Sequence, residues 1–507
     1  MPQLEESART GLHEGKGLKG SSVGLLGATV IGISCVAPAY TLTAALGPIV
    51  SAVGVQTPAI LLIGFLPMLL VAMGYRELNR AVPDNGTSFT WATLAFGPYV
   101  GWMAGWGLVV STVLVLSNSA GIAVDFFYLL LAQSFSAPWI AALSADKYIN
   151  VATCLLFMGV ACYVSYRGMH TTKLVQYLLV GLQVLVMCGF GITALVKAHF
   201  GLAFDYTPIR LDWFNPLATS SAGAIAAGLS LSIFIFWGWD VTLTMNEETA
   251  DATRNPGLAA TLTVGITMLL YVLASVAAVN FSGVGVQGIG MGSAAVQRNV
   301  FLALAPAVFG PVSLAMALAV LCSSAASLQS TMVSPSRTLL AMSHYGAMPA
   351  LFSRISKLYH TPHMGIFAST LVSSVFYAVM RLVSEHVLWD TITALGIMIC
   401  FYYSITALSV VWYFRQSWFA TPASFLNRLF CPLAGGLVLG ALFLRTLSDS
   451  LNPSFGSGSH IGGVGLVFVI GMVIFATGFG GMIVMRWRRP AFFRHGISVT
   501  EQGPEAV

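Results

Sequence analysis

The sequence predicts an all-α polytopic membrane protein with twelve transmembrane helices, two of them discontinuous. Three observations lead there. Of 507 residues, 57% are hydrophobic and only 8% are charged, a third of the roughly 25% charge of a soluble domain. Twelve apolar windows, near 23–48, 58–75, 97–131, 149–166, 174–196, 224–245, 258–280, 306–333, 365–382, 388–413, 430–448 and 464–485, are long enough to cross a hydrocarbon core about 30 Å thick. Between them, 17 of the 23 Lys and Arg fall on the side of both termini and 6 on the other. That asymmetry is the positive-inside rule for an even number of spans with both ends cytoplasmic.

The same numbers exclude other classes. The net charge of +5 is accounted for by topology and gives no reason to expect a nucleic-acid partner. The first span lies behind more than twenty polar residues and shows no small-x-small cleavage site, so it does not read as a signal peptide. The seven cysteines (35, 154, 162, 188, 322, 400 and 431) lie in or beside spans without a CxxC pair. They predict neither a disulfide framework nor a metal site, and a buried Cys is ordinarily a small hydrophobe; Cys35 stands apart because of its neighbours. There is no GxxxxGK[ST] loop and no HExxH, which argues against an enzyme. Tails of about twenty residues leave no room for a signalling domain, and no pore loop points to a channel.

Taken in order, the chain divides into a tail (1–22), a first five-helix unit (23–196), a second (224–413), two further helices (430–485) and a final tail (486–507). Residues 1–20 and 488–507 are expected to be loose. The first span carries Gly32-Ile33-Ser34-Cys35-Val36-Ala37-Pro38; Pro38 in mid-span removes a helix hydrogen bond. The third carries Ser117, Asn118, Ser119 and, near its outer end, Asp125, read as an interface residue. The fifth contains Gln183. The sixth carries Phe234, Phe236, Trp237, Gly238, Trp239 and Asp240. Gly238 weakens its helix, and an intramembrane acid is functional by default. Broken spans survive in lipid only where they line a cavity. Breaks in spans one and six, five apart, fit two five-helix repeats of inverted topology plus two extra helices. The Gly-rich loop 281–305 is expected to form a surface helix over the mouth. The eighth span carries Ser323, Ser324 and Ser327. Glu247, Glu248, Asp251 and Arg254 read as an inner-face salt-bridge network that Arg337 joins. Trp102, Trp106, Trp213 and Trp389 read as membrane-interface anchors.

Several ordered stretches resemble the amino acid–polyamine–organocation superfamily of permeases, of the bacterial amino acid permease type. They are Gly17-Leu18-Lys19-Gly20-Ser21-Ser22-Val23-Gly24; Asn85-Gly86-Thr87 with Ala95-Phe96-Gly97-Pro98 and Gly101-Trp102-Met103-Ala104-Gly105-Trp106; Tyr166-Arg167-Gly168 with Lys173-Leu174-Val175-Gln176; Glu247-Glu248 with Arg254-Asn255-Pro256; and Ser336-Arg337 with Tyr345-Gly346-Ala347-Met348-Pro349. The resemblance implies a leucine-transporter-like fold of five plus five helices, and secondary transport of amino acids or amines by alternating access. It places the substrate against Ser34, Cys35, Val36, Ala37 and Pro38 from helix one and Phe234, Phe236, Trp237, Gly238, Trp239 and Asp240 from helix six, with the third, eighth and tenth helices completing the pocket; on the third, the mid-span Asn118 either faces that pocket as a substrate-binding candidate or bonds between helices. It makes Ser323, Ser324 and Ser327 the place where some relatives bind sodium, and Gln183 the place where some proton-coupled relatives carry Lys. Asp240 completes that set of ion-coupling candidates. A proton is the favoured coupling ion, sodium the alternative, and no cofactor is implied. The partners implied are a small-molecule substrate and the lipid bilayer of the cytoplasmic membrane; the chain is a monomer or homodimer. One departure matters. The family typically has Gly-Ser-Gly where this chain has Val36-Ala37-Pro38, so a standard α-amino-acid carboxylate cradle is not expected and an amine, a polyamine or an unusual amino acid stays open; a polyamine, organocation or inorganic cation transporter on the same fold is the alternative.

Overall fold

The computed structural model describes residues 16–497, apart from 220, 298 and 384. The chain is a helical bundle with one two-stranded hairpin, His460–Ile461 against Val464–Gly465. Ten of the described helical stretches are long and apolar enough to cross a membrane, so the molecule is an all-α, multi-pass membrane protein.

The helices follow the sequence in order: α1 (Leu25–Val36), α2 (Pro38–Val53), α3 (Thr57–Ala81), α4 (Ser88–Phe96), α5 (Pro98–Ser134), α6 (Lys147–Tyr166) and α7 (Met169–His199). Next come α8 (Ala222–Phe234), the four-residue α9 (Val241–Thr244), α10 (Asn255–Ser282), α11 (Val300–Phe309), α12 (Leu314–Thr331) and α13 (Val333–His344). The chain closes with α14 (His363–Val383), α15 (Glu385–Tyr413), α16 (Cys431–Asp449), α17 (Leu466–Arg488) and α18 (Pro490–His495). Proline at the first turn starts α2, α3, α5, α10, α16 and α18, where its missing N–H loses nothing.

Burial separates two classes of span. The most apolar windows of α5, of α12–α13 and of α15 are 78%, 83% and 78% buried, whereas those of α6, α14 and α17 are 28%, 28% and 17% buried. The first group is the core of the bundle; the second is clad by lipid. In the core, α12 packs against α5 and α7, and α10 against α1, α3 and α7. Close approach is built in at Gly32 on α1, where a Cβ would lie 2.3 Å from Thr263 Oγ1 on α10.

The structure corrects several sequence expectations. The window at 306–333 merged two elements, because Pro306 and the Gly310 turn end α11 before α12 begins. Beyond the eighth span the chain stays helical as α13 to His344. The loop at 281–305 does form helix, but α11 is seated in the bundle, with Val300, Phe301 and Leu304 buried. Trp102 and Trp213 are not interface anchors: they are 1% and 2% exposed, and the Trp102 indole N–H donates to Gly478 O at 3.1 Å. Trp106 is half-buried and does the same to Ile474 O at 3.2 Å. Both hold α17 against α5, which is why α5 needs indoles there. The Trp389 side chain, Arg9 and Arg298 lie outside the described residues. Neither tail is loose where it is described, since Lys16 is buried and 490–495 form α18 with Phe492 and Phe493 buried.

Candidate functional site

The first interruption separates α1 from α2 at one residue. Ala37 takes φ +56°, ψ +59°, a left-handed conformation that costs a residue with Cβ about 1–2 kcal/mol. Pro38 then starts α2 with its φ already fixed. The second interruption is longer. Between α8 and α9 the residues 235–240 run as tight turns, with Trp237 N–H on Phe234 O at 3.1 Å and Val241 N–H on Gly238 O at 3.4 Å. Gly238 sits at φ +105°. A Cβ there would lie 3.1 Å from Cys35 Sγ and 3.2 Å from the Cys35 carbonyl carbon and oxygen. The two interruptions therefore touch, and glycine is what allows the contact.

Backbone groups freed in a membrane interior need partners, and side chains of two neighbouring helices supply them. From α12, Ser327 Oγ donates to Cys35 O at 3.2 Å and Ser323 Oγ accepts from Tyr40 N–H at 3.2 Å. Ser34 Oγ returns a bond to Ala326 O at 2.8 Å. Positions 323, 327 and 330 recur every three or four residues, so one stripe of α12 follows the interruption of the first span. Ser324 is turned back onto its own helix, on Val320 O and Leu321 O at 3.1 and 3.0 Å. From α10, Tyr271 OH donates to Ile235 O at 2.9 Å and meets Thr41 Oγ1 at 2.5 Å, bridging both interruptions.

Asp240 is 5% exposed and held from α15. Tyr403 OH donates to Oδ1 at 2.9 Å and Tyr402 OH to Oδ2 at 3.1 Å. Trp237 Nε1 donates to Tyr402 OH at 2.7 Å. Trp239 stacks on Tyr403 with ring centroids 5.3 Å apart, and Tyr75 meets Trp239 edge-on at 5.1 Å. Phe236 packs between Phe65 and Tyr271, and Phe234 abuts Gly396. The adjacent Tyr402-Tyr403 in an apolar window was a readable signal of this clamp that the sequence reading passed over. Asn118 lies on α5, near Tyr40. Gln183 on α7 is fully buried, and neither amide atom has a partner within the protein.

At the end of the bundle where the chain begins, charged side chains are paired across several segments. Glu248 and Arg337 form a two-pronged pair at 2.8 and 3.1 Å, 2% and 1% exposed. Beside it Lys16 joins Asp84 at 2.5 Å, Asn85 Oδ1 at 2.9 Å, and Glu247. Tyr345 OH donates to Asp84 Oδ2 at 2.6 Å. Burial acts against charge on Lys16, but Asp84 and Glu247 outweigh it and hold the ammonium above its usual range. Burial and the neighbouring Asp84 push Glu247 up despite Lys16, while Lys16 and the Thr90 and Tyr345 hydroxyls overcome burial and hold Asp84 down. The segment entering α1 is fixed to the same place: Val23 N–H donates to Glu248 O at 3.1 Å and Ala250 N–H to Val23 O at 2.8 Å. The structure thus brings Glu247, Glu248 and Arg337 into one cluster but leaves Asp251 and Arg254 exposed, and among the described residues Arg254 forms no ion pair. Lys16, Asp84 and Tyr345 were missed, because each is a lone polar residue in a loop.

Towards the opposite end a cavity of about 220 Å³ is lined by Tyr40, Ile122, Asp125, Phe126, Leu129 and Asn299. It comes within one turn of Ala37, and Asp125 lies in its wall. The breaks thus lie between this cavity, which shares Tyr40 with the start of α2, and the ion pairs around Glu247 and Glu248.

Comparison with known proteins agrees with this arrangement. The amino acid permease family matches residues 23–476. Over 136 residues the chain is 26% identical to the branched-chain amino acid permease BcaP of Lactococcus lactis subsp. cremoris, covering 26% of this chain and 29% of that one. Over 413 residues it is 23% identical to the human Asc-type amino acid transporter 1, covering 81% of this chain and 72% of that one. An uncharacterised transporter of Mycobacterium tuberculosis is 24% identical over 343 residues, covering 67% and 70%. The match reaches from the entry of α1 into α17 and takes in both interruptions and the Glu248–Arg337 pair: the chain belongs to the amino acid permease family.

Proposed function

We propose that the chain is a secondary active transporter that moves amino acids or related amines across the cytoplasmic membrane by alternating access, coupled to protons. The observation that carries this reading is the contact of the two interruptions at Cys35 and Gly238. In this reading 25–81, 57 residues long, crosses twice, since a single helix of that length would span about 85 Å. With 222–244 crossing once, the count becomes twelve, arranged as two inverted repeats of five and a final pair. Both termini are cytoplasmic, and the conformation described is closed on that side.

Proton coupling is favoured over sodium by how the α12 hydroxyls are used. Ser327 and Ser323 are bonded to the backbone of the first span itself, and Ser324 to its own helix. Asp240 is the buried acid beside the break, and the neutral Gln183 supplies no charge. A second reading, an amine or organocation substrate, is favoured by the start of α2: Pro38 has no N–H, and that of Tyr40 is already taken by Ser323. Few donors remain for a carboxylate, whereas carbonyls and aromatic faces suit an ammonium.

The test is thermal melting of the purified protein with amino acids, amines and polyamines, followed by uptake into proteoliposomes under a pH or sodium gradient. A ligand of the folded state raises the melting temperature by mass action. Uptake driven by the pH gradient alone supports the proposal. Uptake that requires sodium overturns the coupling, and a shift with amines only selects the second reading.

A further inference from the structure

The stretch 486–497 carries Arg486, Arg488, Arg489, Arg494 and His495 and no acidic residue. It begins where α17, the most lipid-exposed span, leaves the hydrocarbon. Arg486, Trp487, Arg488, Arg494 and His495 are all exposed, Trp487 by 79%. Exposed arginines with a Trp at a span end have the composition of a headgroup contact. Topology alone accounts for the arginines. It does not account for the other side of the same stretch, where α18 folds back and buries Phe492 and Phe493 against α4 and α5. Phe492 stacks on Phe89 at 5.5 Å, and Phe493 lies 5.5 Å from Tyr99 and 5.9 Å from Trp102. Arg486 lies over the Tyr99 ring at 5.7 Å. Phe89 in turn is 6.3 Å from Tyr345, whose hydroxyl holds Asp84 beside Lys16. One face of the stretch is thus exposed and basic, while the other is linked through Phe89 and Tyr345 to the Lys16–Asp84 pair.

We propose that Arg486–His495 is a binding site for anionic phospholipid headgroups and that its occupancy, carried through Phe492 on Phe89, holds the Lys16–Asp84–Glu247 cluster closed. Anionic lipid concentrates at a basic segment on the membrane surface. A ligand that binds the seated form of α18 better than the unseated one shifts the population towards the seated form. The bistable element is the Phe492–Phe89–Tyr345 contact, which forms or breaks as a unit with the ion cluster. Opening at 82–89 is therefore slower when the site is filled.

The experiment uses the full chain in nanodiscs of phosphatidylcholine alone or with phosphatidylglycerol, with hydrogen exchange followed at 82–89 and 342–348. No substrate is present, so the result is independent of the transport reading. Phosphatidylglycerol is expected to slow exchange at both segments at least threefold, and inorganic phosphate added to phosphatidylcholine discs is expected to do nothing. The R486Q/R488Q/R494Q variant is expected to lose the slowing and to bind phosphatidylglycerol about a hundredfold more weakly by native mass spectrometry. F492A/F493A, or Phe492→Leu if the double variant does not fold, keeps lipid binding but loses the slowing. Equal exchange in the two lipids, the full effect from free phosphate, or an undiminished lipid effect in the triple variant would each overturn the proposal.

Discussion

A single methyl group at residue 238 is the sharpest test of the two-break site. Gly238 adopts φ +105°, a region where a residue with Cβ carries about 1–3 kcal/mol of strain. The methyl would also stand 3.1 Å from Cys35 Sγ and 3.2 Å from Cys35 C and O, so α1 must retreat by a few tenths of an ångström. Both effects act on the conformation in which the two interruptions touch. If that contact is part of the transport cycle, strain of about 1–3 kcal/mol corresponds to a rate lower by about fivefold to about a hundredfold. The matched control is Gly265→Ala in α10, where a new Cβ meets nothing within 4 Å and the helix gains up to about 1 kcal/mol of propensity.

The assay is uptake into proteoliposomes of whichever compound raises the wild-type melting temperature, with folded yield checked by gel filtration. Gly265→Ala is expected to transport at the wild-type rate. Gly238→Ala is expected to elute as folded protein and to transport at least fivefold more slowly, and the bulkier Gly238→Val to be inactive. Wild-type uptake by Gly238→Ala would refute the reasoning, because a site made of touching breaks cannot absorb a methyl between them.

Other perturbations have equally definite outcomes. Arg337→Met alone leaves Glu248 buried without its partner and is expected to lose about 3–5 kcal/mol, seen as a lowered melting temperature; R337M/E248L recovers most of it. Tyr403→Phe keeps the stack on Trp239 but removes a hydrogen bond to a carboxylate, worth about 1.5–3 kcal/mol. It is expected to lower stability while leaving the pH dependence of uptake intact, whereas Asp240→Asn abolishes that dependence. The Lys16 cluster sets a pH response whose sign follows from its members. Asp84, held below its usual 3.8, stabilises the fold above that value and loses the contribution only as pH falls through its lower folded value. Lys16, held above 10.5, contributes throughout the range below that. Glu247, raised above 4.5, works the other way, so the fold gains stability as pH falls through its raised value towards 4.5. Melting temperature is therefore expected to rise as pH falls through the raised Glu247 value towards 4.5, and Glu247→Gln to flatten the curve.

The sequence carried most of the membrane architecture because lipid imposes length and polarity on every span. Pro38 and Gly238 marked the interruptions because proline and glycine disturb a helix wherever they stand. What burial decided was hidden. Trp102 and Trp213 look like any interfacial indole until the neighbouring span is known to pack over them. Pro306 and Gly310 were lost in a continuous apolar window, since hydropathy does not see a turn. Lys16, Asp84 and Tyr345 lie up to 329 residues apart, and no local pattern announces an ion cluster assembled from three loops. The Glu248–Arg337 pair was anticipated in kind, but Arg254 was wrongly drawn into it because nearness in sequence was the only guide.

The departure at Val36-Ala37-Pro38 acquires a physical meaning once the partners of the break are known. A glycine-rich interruption presents several backbone N–H groups to a ligand. Here the interruption is compressed to one left-handed alanine, and proline fixes the turn from the other side. The freed polar groups are satisfied by a hydroxyl stripe, with Ser327 on the Cys35 carbonyl and Ser323 on the Tyr40 amide. The break is therefore rigid and internally bonded, and a ligand must either displace these hydroxyls or bind to what they leave. What they leave is the Tyr40 side chain and the cavity it shares with Phe126 and Asp125. Pro38 thus withholds an N–H from the start of α2 before any other residue is considered, which is the physical ground for the amine reading proposed above.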